Sequence, residues 1–219
     1  MRPEMPNHFP FSYRIILLLG LMLVVSLVDF YRKGTQATKF REYGFTIIGG
    51  AAGAIIGSVN DLITSSISPQ YFILGKGLEE SPDLRVQAGL FGLQVGFSAG
   101  VIGSAVCLYA GRRKSAHPPV KCSRLLRLLW MPVTGAILCG IAFPLGFSKF
   151  DPARLSAQLG TLLDAGGVSR FRQVWWTHAG LYAGMVIGLL AMLLRVSRER
   201  KNLATPPVTS HSPVTPRGP

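Results

Sequence analysis

The chain has 219 residues, 48% of them apolar and only 15% charged, and a formal charge of +13. A soluble domain is about 25% charged, so this composition argues against an ordinary soluble globule. The positive charge invites a nucleic-acid partner, but the basic residues flank apolar stretches and form no basic domain of their own, which argues against one.

Charge is concentrated outside five apolar windows, at about residues 15–31, 44–64, 86–110, 128–147 and 175–194. At 1.5 Å per residue each can cross a hydrocarbon core of about 30 Å, the first only just. The predicted fold is therefore all-α: a polytopic membrane helical bundle of about five transmembrane helices. The connectors are too short for a second domain, so residues 1–201 read as one bundle.

The first window follows Arg14, but no small-x-small cleavage site follows it. Ser26 to Phe30 is too bulky and carries Asp29, so the segment is expected to stay as a span and not to leave as a signal peptide. Asp29 lies near its end and is expected to pair with Arg32 or Lys33.

In the second window Gly49, Gly53, Gly57 and Asp61 are four apart and share one helix face. The third window repeats the device with Gly92, Gly96, Gly100 and Ser104, the fourth has Ala136 and Gly140, and the fifth has Gly180, Gly184 and Gly188. Burying Leu between helices gains little in lipid, whereas small residues let backbones approach and van der Waals contact hold them. Glycine-zipper packing of the second, third and fifth helices is the expectation. The alternative is that these glycines let helices bend around a cavity.

Between the spans, Ser68-Pro69 should open a short turn through Tyr71 and Phe72 that Gly75 and Gly77 end. Ser81-Pro82 should cap the third helix. Asp151-Pro152 should open a surface helix with Leu155, Leu159, Leu162 and Leu163 on one face, ended by Gly166-Gly167. Pro132 and Pro144 lie near the ends of the fourth span, where kinks are tolerable. Trp175 and Trp176 sit where an aromatic belt is expected. Residues 202–219 are rich in Pro, Ser and Thr and read as a disordered cytoplasmic tail.

Alternate connectors carry 15 Lys and Arg on one side against 8 on the other. The richer side is expected to be cytoplasmic, with the N-terminus out and the C-terminus in. Arg112-Arg113-Lys114 and Arg195, Arg198, Arg200 and Lys201 are expected to fix this topology and touch anionic lipid.

Asp61 is the one acid well inside an apolar window, and an ionisable group there is a functional candidate by default. Asn60 and Thr64 stand beside it. The topology brings His178 and Tyr182, four apart on the fifth helix, to the same level. Tyr71 lies in the turn that follows, and Gln94 is a further candidate member. Such a set suits a proton relay, a cation site or a small polar pocket. Equally, Asp61 reaching the interface to brace the next loop, and aromatic tips in water, would explain the same residues. Cys107, Cys122 and Cys139 show no metal-ligand spacing and read as small apolar residues. Neither H-E-x-x-H nor a P-loop occurs. Ser65, Ser66 and Ser68 have no obvious base other than His178. No cofactor or metal is indicated, and an enzyme is the least supported reading.

Two stretches carry a resemblance. Val59 to Phe72 (VNDLITSSISPQYF) resembles the pattern H-D-Q-x-T-x-x-I/V-x-P-E-Y-F, and Trp175 to Tyr182 (WWTHAGLY) resembles W-x-H-x-x-x-Y before a glycine-rich last span. Both patterns belong to a group of uncharacterised multi-pass bacterial membrane proteins, and their order and spacing fit too. The stretches cover 22 of the 219 residues. The resemblance implies a multi-pass protein of the bacterial inner membrane with a shared polar site, and no particular reaction. Asp61, Thr64, Pro69, Tyr71, Phe72, His178 and Tyr182 match. Asn60 replaces His, Leu62 replaces Gln, and Gln70 replaces Glu.

Three functions follow as expectations. The first is small-molecule or ion binding or transport through an outward-facing polar site. The second is a structural or assembly role, with partners in the lipid bilayer, another copy of the chain or another membrane protein. The third is a membrane-embedded enzyme.

Overall fold

The computed structural model describes residues 11–112, 119–147, 149–151 and 155–204. They are all-α, with no strand among them, and five helices are long and apolar enough to cross a membrane. The elements are α1 (Phe11–Lys33), α2 (Lys39–Ile67), a π-helical turn (Tyr71–Gly75), α3 (Leu84–Arg112), α4 (Cys122–Leu128), α5 (Trp130–Phe147), α6 (Leu155–Leu159) and α7 (Ala165–Ala204). The fold is that of a polytopic membrane bundle.

Two tight antiparallel pairs make the bundle. In the first, α2 lies against α3 so closely that a Cβ at Gly53 would land on the Gly96 carbonyl oxygen, and one at Gly57 on that of Gly92. Gly49 meets the Gly100 carbonyl and Ser104 in the same way. In the second pair, Gly180, Gly184 and Gly188 of α7 meet Cys139, Gly135 and Met131 of α5. This corrects the expectation for the fifth helix. Its glycines face the fourth helix, not the second and third, and the tight residue of α5 is Gly135. A Cβ at Gly140 would make ordinary contacts at 3.7 to 3.8 Å.

Several boundaries also differ. The fourth span begins at Cys122, six residues before the apolar window, because α4 and α5 run on nearly continuously. Ser81-Pro82 forms a turn ahead of α3, with the Leu84 amide donating to the Ser81 carbonyl at 3.1 Å. Gly166-Gly167 does not end a surface helix; it lies in the first turn of α7, where Asp164 accepts from the Gly167 amide at 2.8 Å. Of the expected surface helix, the described residues form α6, Leu155–Leu159, and Pro152 at its expected start lies outside them. Leu159 is buried beside Tyr71, Phe72, Val168 and Phe171, while Leu162 is exposed. Asn202 to Ala204 continue α7; the rest of the expected tail, and Arg113-Lys114, lie outside the described residues.

The core has two parts. One closes the end where α2 runs into the π-helical turn, and contains Tyr71, Phe72, Ala88, Phe171 and Val174. The other closes the opposite end, with Phe45, Cys107, Leu125, Leu128, Met192 and Val196. Polar bonds fasten that second end. Buried Glu42 of α2 binds Lys39 at 2.8 Å and the Arg112 guanidinium of α3, and Arg112 also reaches the Cys122 sulfur of α4 at 3.3 Å. Arg124 of α4 forks onto Glu199 of α7, and Arg200 donates to the Ala110 carbonyl at 2.8 Å. Asp29 does bind Lys33, at 2.8 Å, and it also accepts the Thr38 and Lys39 amides at the start of α2.

Candidate functional site

At the first end, α2 presents Asn60 and Asp61 to α7, and α7 answers with His178. Asp61 Oδ1 lies 2.9 Å from His178 Nε2 and accepts from Asn60 Nδ2 at 2.9 Å. The Asn60 amide nitrogen is also 3.2 Å from Nε2. Asp61 and His178 are 5% and 4% exposed, so the pair is shielded from water. Gly92 makes room for it: a Cβ there would stand 2.8 Å from the Asp61 carboxyl carbon.

The hydrogen bonding counts the protons. His178 Nδ1 is 2.9 Å from the Val174 carbonyl, which can only accept, so Nδ1 carries a hydrogen. Nε2 and Oδ1 then face each other at hydrogen-bond distance, and two lone pairs do not attract. One proton must lie between them, on either group. With that one proton the pair is electrically neutral.

Aromatic rings hold the imidazole. Tyr71 stacks on His178 with centroids 4.7 Å apart, and Phe72 meets it edge-on at 6.0 Å. Phe171 backs Tyr71 at 5.2 Å, and Lys76 Nζ lies 5.5 Å from the Tyr71 ring centre. Burial pushes the Tyr71 phenol well up from its usual range, so it remains protonated. The π-helical turn thus delivers Tyr71 to the site.

The other candidates divide. Tyr182 lies one turn along α7, its ring 6.5 Å from that of His178, and faces the cavity described next. Thr64 is buried nearby but donates to the Asn60 carbonyl at 2.7 Å, supporting α2 and not the pair. Gln94 does not join: its side chain is exposed on α3. The Ser65 and Ser66 hydroxyls donate to the Leu62 carbonyl. Gly96-Phe97-Ser98-Ala99-Gly100 spells G-x-S-x-G, which the sequence reading missed. It lies mid-helix, with Ser98 exposed and bonded to the Gln94 carbonyl at 2.9 Å, and makes no strand-to-helix elbow.

From this pair a cavity of about 380 Å³ runs between the two helix pairs. Asn60, Asp61, His178 and Tyr182 form its polar end; beyond them the walls are glycines and apolar side chains down to Cys107 and Met192. Ser104 is on the wall, and its buried hydroxyl has no hydrogen-bond partner. The glycines had suggested either tight packing or room for a cavity. Here the same residues do both: Gly53 and Gly96 touch across α2 and α3 while their outer edges line the void.

No protein-family model, no curated protein and no solved structure matches the chain. What it can do must be argued from the site itself.

Proposed function

We propose that the chain is a small-molecule-binding protein of the bacterial inner membrane, with its ligand held in the cavity between the α2–α3 and α5–α7 pairs. The observation that carries this reading is the buried Asp61–His178 pair standing at the end of an otherwise apolar cavity. Pockets of about 300–1,000 Å³ with a few convergent polar groups are the usual form of ligand sites. A buried ionisable pair at membrane depth costs stability, so its presence is by default a sign of function. The matches of Asp61, Tyr71, His178 and Tyr182 to the bacterial multi-pass pattern support the same residues.

In this reading the N-terminus is outside and the C-terminus in the cytoplasm, so the Asp61 end faces outward. The assembly role has less support, because the glycine faces are occupied within the chain and do not point outward to a partner. An enzyme has less still: among the described residues no serine hydroxyl bonds to the pair.

Native mass spectrometry of the protein released gently from membranes tests the proposal. A small molecule should accompany the wild-type chain and be lost in both Asp61→Asn and His178→Ala, with membrane insertion unchanged. A wild-type chain carrying nothing, or both variants retaining the ligand, refutes it.

A further inference from the structure

The shape and polarity of the cavity narrow its ligand, and the narrowing rests on the binding role proposed above. Gly92 is level with Asp61, and Ser104 and Cys107 of the same helix line the far part of the cavity. The 12 to 15 residues between them place these ends roughly 20 Å apart. The cavity, about 380 Å³, is therefore drawn out along the helices, a shape that suits an extended chain better than a compact ring system.

Its walls reach the perimeter of the bundle partway along. Ile102 of α3 and Val186 of α7 both line the cavity, yet they are 65% and 50% exposed. Both lie near the middle of their apolar stretches, where the surroundings are acyl chains. Access from the lipid phase is therefore open, and a ligand need not cross water.

The polar end selects the head. Asn60 and His178 both converge on Asp61 Oδ1, leaving Oδ2 to accept from a donor in the cavity. The pair with its one proton is neutral. A carboxylate head would set a second negative charge against it, and a cationic head would have to displace the proton. A neutral hydroxyl donates to Oδ2 without either cost. Tyr182 lines the same end and brings a neutral phenol, whereas Lys76, whose Nζ is 5.5 Å from the Tyr71 ring centre, is not among the lining residues. We infer that the cavity takes one long-chain alcohol, straight or isoprenoid, from the lipid phase, with its hydroxyl on Asp61 and its chain running toward Ser104 and Cys107.

Photolabelling in lipid nanodiscs tests this. The probe is hexadecanol carrying a diazirine midway along the chain, and its control is the matching hexadecane without the hydroxyl. Hexadecanol should label Met185 or Leu189 saturably, and excess unlabelled hexadecanol should compete. The hexadecane probe should need about tenfold or more higher concentration, as should hexadecanol with Asp61→Asn, the loss expected when a buried hydrogen-bonding group is left unsatisfied. Ala99→Phe, which fills the channel and leaves the pair untouched, should abolish cavity labelling. Equal labelling by both probes, labelling confined to lipid-facing residues such as Ile55, or full labelling of Ala99→Phe overturns the inference. If a co-purifying molecule depends on Asp61 but resists displacement by hexadecanol, the binding role stands and the long-chain class falls.

Discussion

Replacing Gly53 by Ala is the sharpest perturbation of the α2–α3 pair. The added methyl would clash with the Gly96 carbonyl oxygen, with Gly96 C at 3.0 Å and Gly100 Cα at 3.3 Å. All three atoms are backbone, so no rotamer change relieves the clash and the helices must separate. Overpacking alone costs about 1–3 kcal/mol. Separation also loosens the flanking contacts at Gly49 and Gly57, so the total belongs at the upper end, about 3 kcal/mol. Gly44 and Gly103 are the controls. Nothing lies within 4 Å of a Cβ at Gly44, and only Leu189 methyls at 4.0 Å at Gly103. Ala there should be neutral, or stabilising by up to about 1 kcal/mol through helix propensity. The assay is reversible SDS unfolding in mixed micelles followed by circular dichroism. If Gly53→Ala and Gly44→Ala unfold at the same SDS fraction, backbone contact at the glycines does not hold the pair.

Three further outcomes are expected. Glu42→Ala strips Lys39 and Arg112 of their shared acceptor in a buried setting and should cost about 2–4 kcal/mol in the same assay. Tyr71→Phe keeps the ring on His178 and should stay within about 1 kcal/mol, whereas Tyr71→Ala removes the stack and should cost about 3–5 kcal/mol. Reporter fusions at residues 78, 118 and 205 should give periplasmic, cytoplasmic and cytoplasmic signals; a cytoplasmic signal at 78 with a periplasmic one at 118 reverses the proposed orientation.

The spans were legible because lipid imposes a length and a composition on them, and the five helices fall where the apolar windows lie. Which helices pair was not legible. Small residues four apart mark a face but do not name its partner, so Gly180, Gly184 and Gly188 were assigned to the wrong neighbours. Helix ends were misread where polar residues continue a helix past the apolar stretch, as at Cys122 to Leu128 and from Ala165 to Gln173. Asp61, Asn60, His178 and Tyr71 could be brought together from the sequence, since a carboxylate in an apolar window calls for a partner at its own depth. Gln94 failed because depth without helix phase does not place a side chain. Glu42 went unremarked: it sits in a basic connector, and only the fold shows that Arg112, 70 residues on, closes over it.

The division into two closely fitted hairpins bears on how the chain is made. Every backbone-to-backbone approach of the first hairpin lies between α2 and α3, neighbours in sequence, and every one of the second between α5 and α7. The first can therefore mature in the bilayer while the ribosome is still synthesising the second. Only then do Asp61 and His178, 117 positions apart, meet. Until that moment Asp61 has Asn60 and the Gly92 backbone of α3 beside it, and lacks the imidazole that α7 brings.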